Sequence, residues 1–321
     1  MNRGCRMDAR EQIDIDFDFR TDTPPGKDRD PDALSPTLRR YHKFLWSKPL
    51  PCGEVLDLDD TAHGHYLLHR PDELREFSLS SDAVVASFRY LPMVQDEPEQ
   101  LEEFMHIGYT IGGMMLWPGN QVDGKMTING ARGCHPRIRD RFDLTVECIR
   151  RHYVGEDSPL REVLERYADF FKLFVNFRGF VEFFLLQDAA TVDCDAVIFC
   201  APLRGFSTSS AIPETMEEYQ EYRQRAMAFI EARNLRIAEY CRLRALEDRS
   251  LGVAVPPVSY LLRRDERGRG CSGADQLRRG KRPANERSVT RRPSLSLADT
   301  PALIPTLRKA LSGTSRYLLT L

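Results

Sequence analysis

The chain has 321 residues, of which 41% are apolar, 29% charged and 9% aromatic, and its net charge is −2. This length suffices for one large domain or two small ones with a sizeable core. No apolar run approaches the roughly 18 residues that span a bilayer, and the N-terminal segment lacks a secretory apolar region. Because the eight cysteines show no paired spacing, we expect reduced thiols in a cytoplasmic protein.

The charge is distributed unevenly on either side of Cys241. Residues 1–241 hold 29 basic and 41 acidic side chains, whereas residues 242–321 hold 17 basic and 7 acidic ones. The first part therefore carries a net charge of −12 and the second a net charge of +10. The acidic first part argues against broad nucleic-acid binding by the folded domain.

The first half of the chain predicts short strands and two amphipathic helices. Apolar and acidic residues alternate at 13–19, which predicts a strand with one solvated face. Ser35 followed by Pro36 has the pattern of a helix N-cap and first turn, and the helix is predicted to end at Trp46. Further predicted elements are a loop at 21–32, a strand at 54–58, an ambiguous segment at 80–91 that favours strand, a helix at 97–109, a strand at 110–117 and a strand with a glycine-flanked turn at 124–133.

The second half predicts longer helices with aromatic faces. Apolar side chains recur at helical spacing through 136–153, which predicts one helix. Serine–proline at 158–159 begins the next helix, which is predicted to run to Phe174 and to be interrupted at 176–179. The remaining predicted elements are a helix at 180–189, a strand at 192–199 and a long helix at 213–241.

Two metal-binding patterns are present but incomplete. The loop at 28–39 places aspartates at the first, third and fifth positions of a calcium-loop template, but Ala33 and Arg39 stand where glycine and glutamate are needed. Three histidines form an HxHxxxH pattern: His63, His65 and His69. No cysteine lies beside these histidines, and the HExxH pattern is absent. We therefore predict no metal site at either place.

The candidate ligand site is centred on the sequence TINGARG at 127–133. Arg132 precedes a predicted helix, where its guanidinium can bind an anion that the helix N-terminus also attracts. An asparagine and an arginine between glycines are unusual for a simple connector. If the site is catalytic, its carboxylates are candidate Mg²⁺ ligands. The predicted ligand-binding residues are Arg132, Asn129, Arg39, His42, Lys48, Asp140, Asp143 and Glu147.

The same residues have a purely structural interpretation. Asp143 and Glu147 stand one helical turn from several arginines, as in ordinary surface pairing on a helix. Two functions follow from these interpretations. One is the binding or processing of a small anionic, phosphate-bearing ligand or nucleotide. The alternative is a non-catalytic protein-interaction module, for example in stress or phage defence. The sequence identifies no catalytic residue, cofactor or oligomeric state.

The segment 242–321 differs from the rest of the chain in composition. It contains 15 arginines but only two lysines, and much of it is rich in proline, serine and glycine. Such a segment cannot bury enough apolar surface to offset the entropy of ordering. Three interpretations stay open: a native disordered tail, a non-native end such as a frameshift produces, and a basic arm that binds phosphates.

Several long segments resemble one bacterial family of unknown function. The resemblance covers about residues 13–240 and fades where the composition changes. It implies a bacterial, cytoplasmic protein, and it implies no catalytic residue, because the activity of the family is uncharacterised. The segments are FDFRTDTPPGKDRDPDALSPTLRRYHKFLWSKPLPCG, TIGGMMLWPG, TINGARG, DRFDLTVECIRRHY, SPLREVLERYADFFKLF, FRGFVEFFLLQD and FIEARNLRI.

The predicted architecture is one helix-rich α+β domain over residues 13–241, preceded by a flexible segment at 1–12. The strand segments are separated by unequal loops and helices and do not follow a regular βαβ alternation. We therefore expect a small, mostly antiparallel sheet. The phenylalanine-rich helices of the second half are predicted to supply most of the core.

Overall fold

A computed structural model describes residues 13–26, 30–60, 66–73, 75–198, 206 and 211–250. Within these residues the fold is α+β, as the sequence predicted, because helices predominate and every strand pairing is antiparallel. Most of the proposed tail, His63 and His65 lie outside the described residues. In the described part, no helix has both the length and the apolar content needed to cross a bilayer.

Two small sheets organise the first half of the described chain. One has the strand order β1-β2, and the other has the order β3-β4-β5-β6. The longest pairing joins β5 to β6, with Leu79 opposite Pro118 and Ala83 opposite Met114. The strands are β1 (Lys48–Pro49), β2 (Val55–Leu56), β3 (Asp59–Asp60), β4 (Leu67–His69), β5 (Phe77–Ala83) and β6 (Met114–Pro118).

Short helices surround the sheets, and one long helix ends the described chain. One large cluster of buried apolar residues connects the sheets to most of the helices, and a smaller cluster lies among α3, α4 and the start of α10. The helices are α1 (Pro31–Leu34), α2 (Pro36–Trp46), α3 (Pro92–Gln95), α4 (Pro98–Gly108), α5 (Ile128–Cys134), α6 (Phe142–Val154), α7 (Arg161–Arg166), α8 (Ala168–Lys172), α9 (Phe177–Phe183) and α10 (Met216–Ser250).

The start of α2 follows the capping chemistry that the sequence predicted. Ser35 Oγ accepts a hydrogen bond from the Leu38 amide at 3.1 Å and donates one to Asp22 at 2.5 Å. Asp22 also accepts from the Thr37 amide, so a side chain from the preceding loop completes the cap. The predicted helix from Pro36 to Trp46 is thus confirmed at both ends. One side chain of α2, His42, lies 2.8 Å from Ser81 of β5.

The predictions around the candidate ligand site need correction. Residues 127–133, predicted as a strand and turn, begin helix α5, whose N-cap Thr127 accepts from the Gly130 amide. The helix predicted at 136–153 begins only at Phe142, because Arg139 and Asp140 adopt left-handed backbone angles. Asp140 therefore precedes the helix and does not share a helical face with Asp143 and Glu147.

Other corrections concern the limits of elements. Residues 13–19 form no strand: Ile13 and Phe19 are buried, but the segment has no strand partner in the described part of the chain. Of residues 80–91, only those up to Ala83 are in a strand, and 192–199 makes a single bridge. The helix predicted at 158–174 is divided into α7 and α8 at Tyr167. Helix α9 begins within the predicted interruption at 176–179. Helix α10 continues nine residues beyond its predicted end.

Candidate functional site

A small pocket lies between α1, α2 and the four-stranded sheet. Its volume is about 10 Å³, which is close to the space that one water molecule needs. A single oxygen atom of a ligand therefore fits this pocket, whereas a nucleotide base does not. The polar lining residues are Asp32, Ser35, Arg39, His42 and Ser81, and the apolar ones are Ala33, Leu38, Leu67, Leu79 and Leu116.

Two aspartates meet at the end of β5 beside the pocket. One Asp32 oxygen accepts a hydrogen bond from the Ala83 amide at 3.0 Å, and the other is buried without a conventional donor in the described part. Burial, followed by the neighbouring Asp82 and Asp30 carboxylates, raises the pKa of Asp32 well above its usual value. Burial also raises the pKa of Asp82, and its cation partner Arg132 opposes that rise.

The cation that holds Asp82 is Arg132, whose side chain is 1% exposed. Its Nη1 lies 2.6 Å from Asp82 Oδ2 and 3.3 Å from Asn129 Oδ1. Further bonds run to three backbone carbonyls and to Thr145 Oγ1. Because these protein acceptors use the N–H groups of the guanidinium, Arg132 has none left for a ligand. It can position Asp82 and oppose the rise that burial causes in the pKa of Asp82.

Arg39 brings positive charge to the mouth of the pocket. Its Nε is bonded to Asp60, and its Nη2 donates to the Tyr66 carbonyl at 2.6 Å. Lys43 contacts the same Asp60 carboxylate at 2.8 Å. Two cations thus share the Asp60 carboxylate beside the pocket. Asp32 adds no negative charge to this arrangement while it keeps its proton.

His42 lies at the base of the pocket and is 1% exposed. Its Nδ1 is 3.0 Å from Trp46 Nε1, and its Nε2 is 2.8 Å from Ser81 Oγ. Burial, and then the cations Arg233 and Arg39, lower the pKa of His42 to about 3. The ring is therefore neutral at physiological pH, and its two nitrogens have fixed partners.

The eight predicted ligand-binding residues are divided among separate places. Arg39 and His42 line the pocket, while Arg132, Asn129 and Asp140 belong to the network around Asp82. The other three predicted residues have other partners. Lys48 lies within 5 Å of the ring centroids of three aromatic side chains, Asp143 pairs with Arg141, and Glu147 pairs with Arg150 and Arg151.

The predicted Mg²⁺ ligands do not form one group. Each of these carboxylates lies near a different arginine: Asp140 near Arg132, Asp143 near Arg141 and Glu147 near Arg150. Among the described residues, no three histidine, cysteine or acidic side chains are arranged to hold a metal ion. Glu147 is mostly buried and pairs with Arg150 and Arg151, about one helical turn away. Asp143 is paired too, but with Arg141 at the helix N-cap.

Sequence reasoning missed Asp32, Ser81 and Asp82 as members of the site. Asp32 stood in the rejected calcium-loop template, and Ser81 and Asp82 lie in the segment SSDAVV. An aspartate is uncommon inside a strand followed by β-branched residues. The presence of an aspartate in a segment that otherwise favours a strand is the signal that could have identified Asp82 as a residue with a buried partner.

Replacing Asp32 with asparagine is expected to change how stability depends on pH. Because its folded pKa is raised, the native protein keeps a proton that the unfolded chain releases above about pH 4. The stability contributed by this carboxyl is thus present below about pH 4 and is lost as the pH rises through the folded pKa. The asparagine amide resembles the protonated acid, so wild-type protein should lose stability relative to D32N as the pH rises above about 4.

Urea unfolding at several pH values measures this difference. Asp59→Asn makes the same change at an exposed aspartate of β3 and serves as the control for removing one surface carboxyl. A D32N curve parallel to the wild-type curve across the whole range would contradict the protonated state of Asp32.

The fold and the pocket define a helix-rich α+β protein with a small, partly polar pocket beside two neighbouring buried carboxyl groups. The chain belongs to the family of unknown function DUF6994, whose pattern it matches over residues 13–237. This agrees with the resemblance found in the sequence. Neither a curated protein nor a solved structure matches the chain.

Proposed function

We propose that the chain binds a small anionic ligand by inserting one acceptor oxygen into the pocket between α2 and β5. The observation that carries this proposal is the burial of the Asp32 carboxyl beside Asp82, which raises the pKa of Asp32 and so reduces the negative charge that would repel an anion. Arg39 and Lys43 add two cations around the single carboxylate of Asp60. The pocket thus offers an oxyanion a positive potential in a partly desolvated place.

The proposal assigns the predicted residues two kinds of role. Arg39 supplies charge at the pocket, and His42 supports the pocket from beneath. Arg132 and Asn129 act indirectly, because Arg132 holds Asp82 in place next to Asp32 and Asn129 accepts a hydrogen bond from Arg132. The size of the pocket favours a phosphate or carboxylate group whose remaining atoms lie outside it.

Calorimetric titration with inorganic phosphate tests this function. Arg39→Met is expected to raise the Kd for phosphate by about tenfold or more, since a hydrogen bond to a charged group contributes about 1.5–3 kcal/mol. Arg40→Met removes the same charge from the adjacent residue, which packs over Tyr41 and does not line the pocket. It should leave the Kd within about twofold. Equal losses in the two variants would show a general charge effect and refute the site.

A second titration with AMP identifies the size of the ligand. Tighter binding of AMP than of phosphate would favour a nucleotide whose base lies outside the pocket. Weaker binding would favour a smaller anion. In either case, phosphate binding should weaken as the pH rises and Asp32 loses its proton.

The alternative function, protein interaction, rests on exposed leucines of α10. Leu243 and Leu246 stand one turn apart, and Leu235 lies two turns earlier on the helix. Single exposed apolar residues are ordinary on protein surfaces, and only larger continuous patches indicate a partner. The pocket therefore supports ligand binding better than these leucines support an interaction surface.

A further inference from the structure

Three side chains beneath the pocket form a hydrogen-bonded series with only one possible direction. The indole Nε1 of Trp46 has a hydrogen and cannot accept, so it donates to His42 Nδ1, 3.0 Å away. Because His42 Nδ1 accepts, a neutral ring must carry its hydrogen on Nε2. That nitrogen therefore donates to Ser81 Oγ at 2.8 Å.

Burial keeps this arrangement in a single protonation state. Trp46 is fully buried and His42 is 1% exposed. The cations around the ring, Arg233 and Arg39, also oppose its protonation. The ring is thus neither an imidazolium nor the other neutral tautomer. It cannot act as a base towards Ser81, since the nitrogen that faces the serine already holds a proton.

The direction of these bonds determines what Ser81 can offer. The Ser81 oxygen accepts a hydrogen bond from His42, so the hydroxyl hydrogen of Ser81 must be donated to another group. In the described part of the chain, no protein acceptor for this hydrogen is found. Ser81 lines the pocket together with Arg39. We infer that Ser81 is the specificity-determining donor of the pocket, selecting a ligand group with an acceptor oxygen, such as a phosphate or carboxylate, over a group that donates.

This inference rests on the proposed function, but it has a readout that needs no ligand. In the ¹⁵N spectrum of the full-length protein, His42 should show a non-protonated Nδ1 and a protonated Nε2 throughout pH 5–8. This range extends about one and a half pH units on either side of the ordinary histidine pKa. A protonated Nδ1, or a doubly protonated ring, at any pH in this range would overturn the assigned direction. Trp46→Phe removes the indole donor and should permit the other tautomer in the folded variant.

Phosphate titration then measures the role of Ser81 itself. Ser81→Ala is expected to raise the Kd for inorganic phosphate by about tenfold to a hundredfold, the effect of losing one hydrogen bond to a charged group. Ser80→Ala is the matched control, because neighbouring residues of a strand face opposite sides of the sheet. It should leave the Kd unchanged within about twofold.

The outcomes separate this inference from the function on which it rests. Wild-type binding of phosphate that survives Ser81→Ala overturns the specificity role alone. No binding of phosphate or AMP by the wild type overturns the proposed function and the specificity role together. Loss of binding in Ser81→Ala but not in Ser80→Ala, with the protonated Nε2 observed, supports both.

Discussion

Replacing Arg132 with methionine is expected to lower the free energy of unfolding by about 3–5 kcal/mol, the usual cost of breaking a buried ion pair by removing one partner. Methionine fills similar space but leaves Asp82 without its cation at 2.6 Å. It also removes the donor to the carbonyls of Val84, which directly follows β5, and of Asp140, which lies in the segment before α6.

Urea unfolding followed by tryptophan fluorescence measures this loss, because both tryptophans of the chain are buried in the folded state. Arg137→Met is the control, since Arg137 is exposed, and it should change the stability by less than about 0.5 kcal/mol. Adding Asp82→Asn to the Arg132 variant should recover part of the loss, because the uncompensated charge is then absent. Equal stability of the two arginine variants would show that Arg132 carries no buried pair.

Replacing Arg233 with methionine is expected to cost about 3 kcal/mol of unfolding free energy. Arg233 is fully buried in α10 and donates to the carbonyls of Gly112, Met114 and Phe184 at 2.8–3.3 Å. Each carbonyl left without a donor costs about 1–3 kcal/mol, and relief of the buried charge offsets part of that sum. Burial of this cation lowers the pKa of Arg233 to about 9, so it remains charged at neutral pH.

A nearby arginine provides the comparison for Arg233. Arg236→Met removes a cation three residues further along the same helix, where it pairs with Asp188 at the surface. Its expected cost is at most about 1 kcal/mol. Denaturant unfolding of both variants tests the difference. If Arg236→Met destabilises the protein as much as Arg233→Met, the carbonyl contacts do not hold α10 in place.

Local patterns predicted helices best where capping chemistry and periodicity agreed. Ser35 and Pro36 marked the start of α2, and the spacing of apolar residues identified α4 and α10. Periodicity failed where the backbone turns without glycine or proline. Arg139 and Asp140 adopt positive φ angles, which are uncommon in residues other than glycine, so the helix starts later than the pattern indicated.

The candidate site was predicted only in part, because its contacts are distant in sequence. Arg132 and Arg39 were predicted as ligand-binding residues, but the sequence did not show that the partner of Arg132 lies 50 residues away in β5. The predicted carboxylates were chosen by helical spacing, and the helix begins after Asp140. Ser81 and Asp82 lie in a strand whose neighbours no local pattern reveals.

The sequence by itself determined the α+β class, the family, the capping of α2 and the change in composition after Cys241, since these depend on local spacing and composition. The tertiary structure alone decided which charges are buried and how they pair. The raised pKa of Asp32, the burial of Arg132 and the lowered pKa of His42 each depend on groups brought together from separate elements. Electrostatic effects on a pKa act through space within a few ångströms, so order along the chain does not specify them.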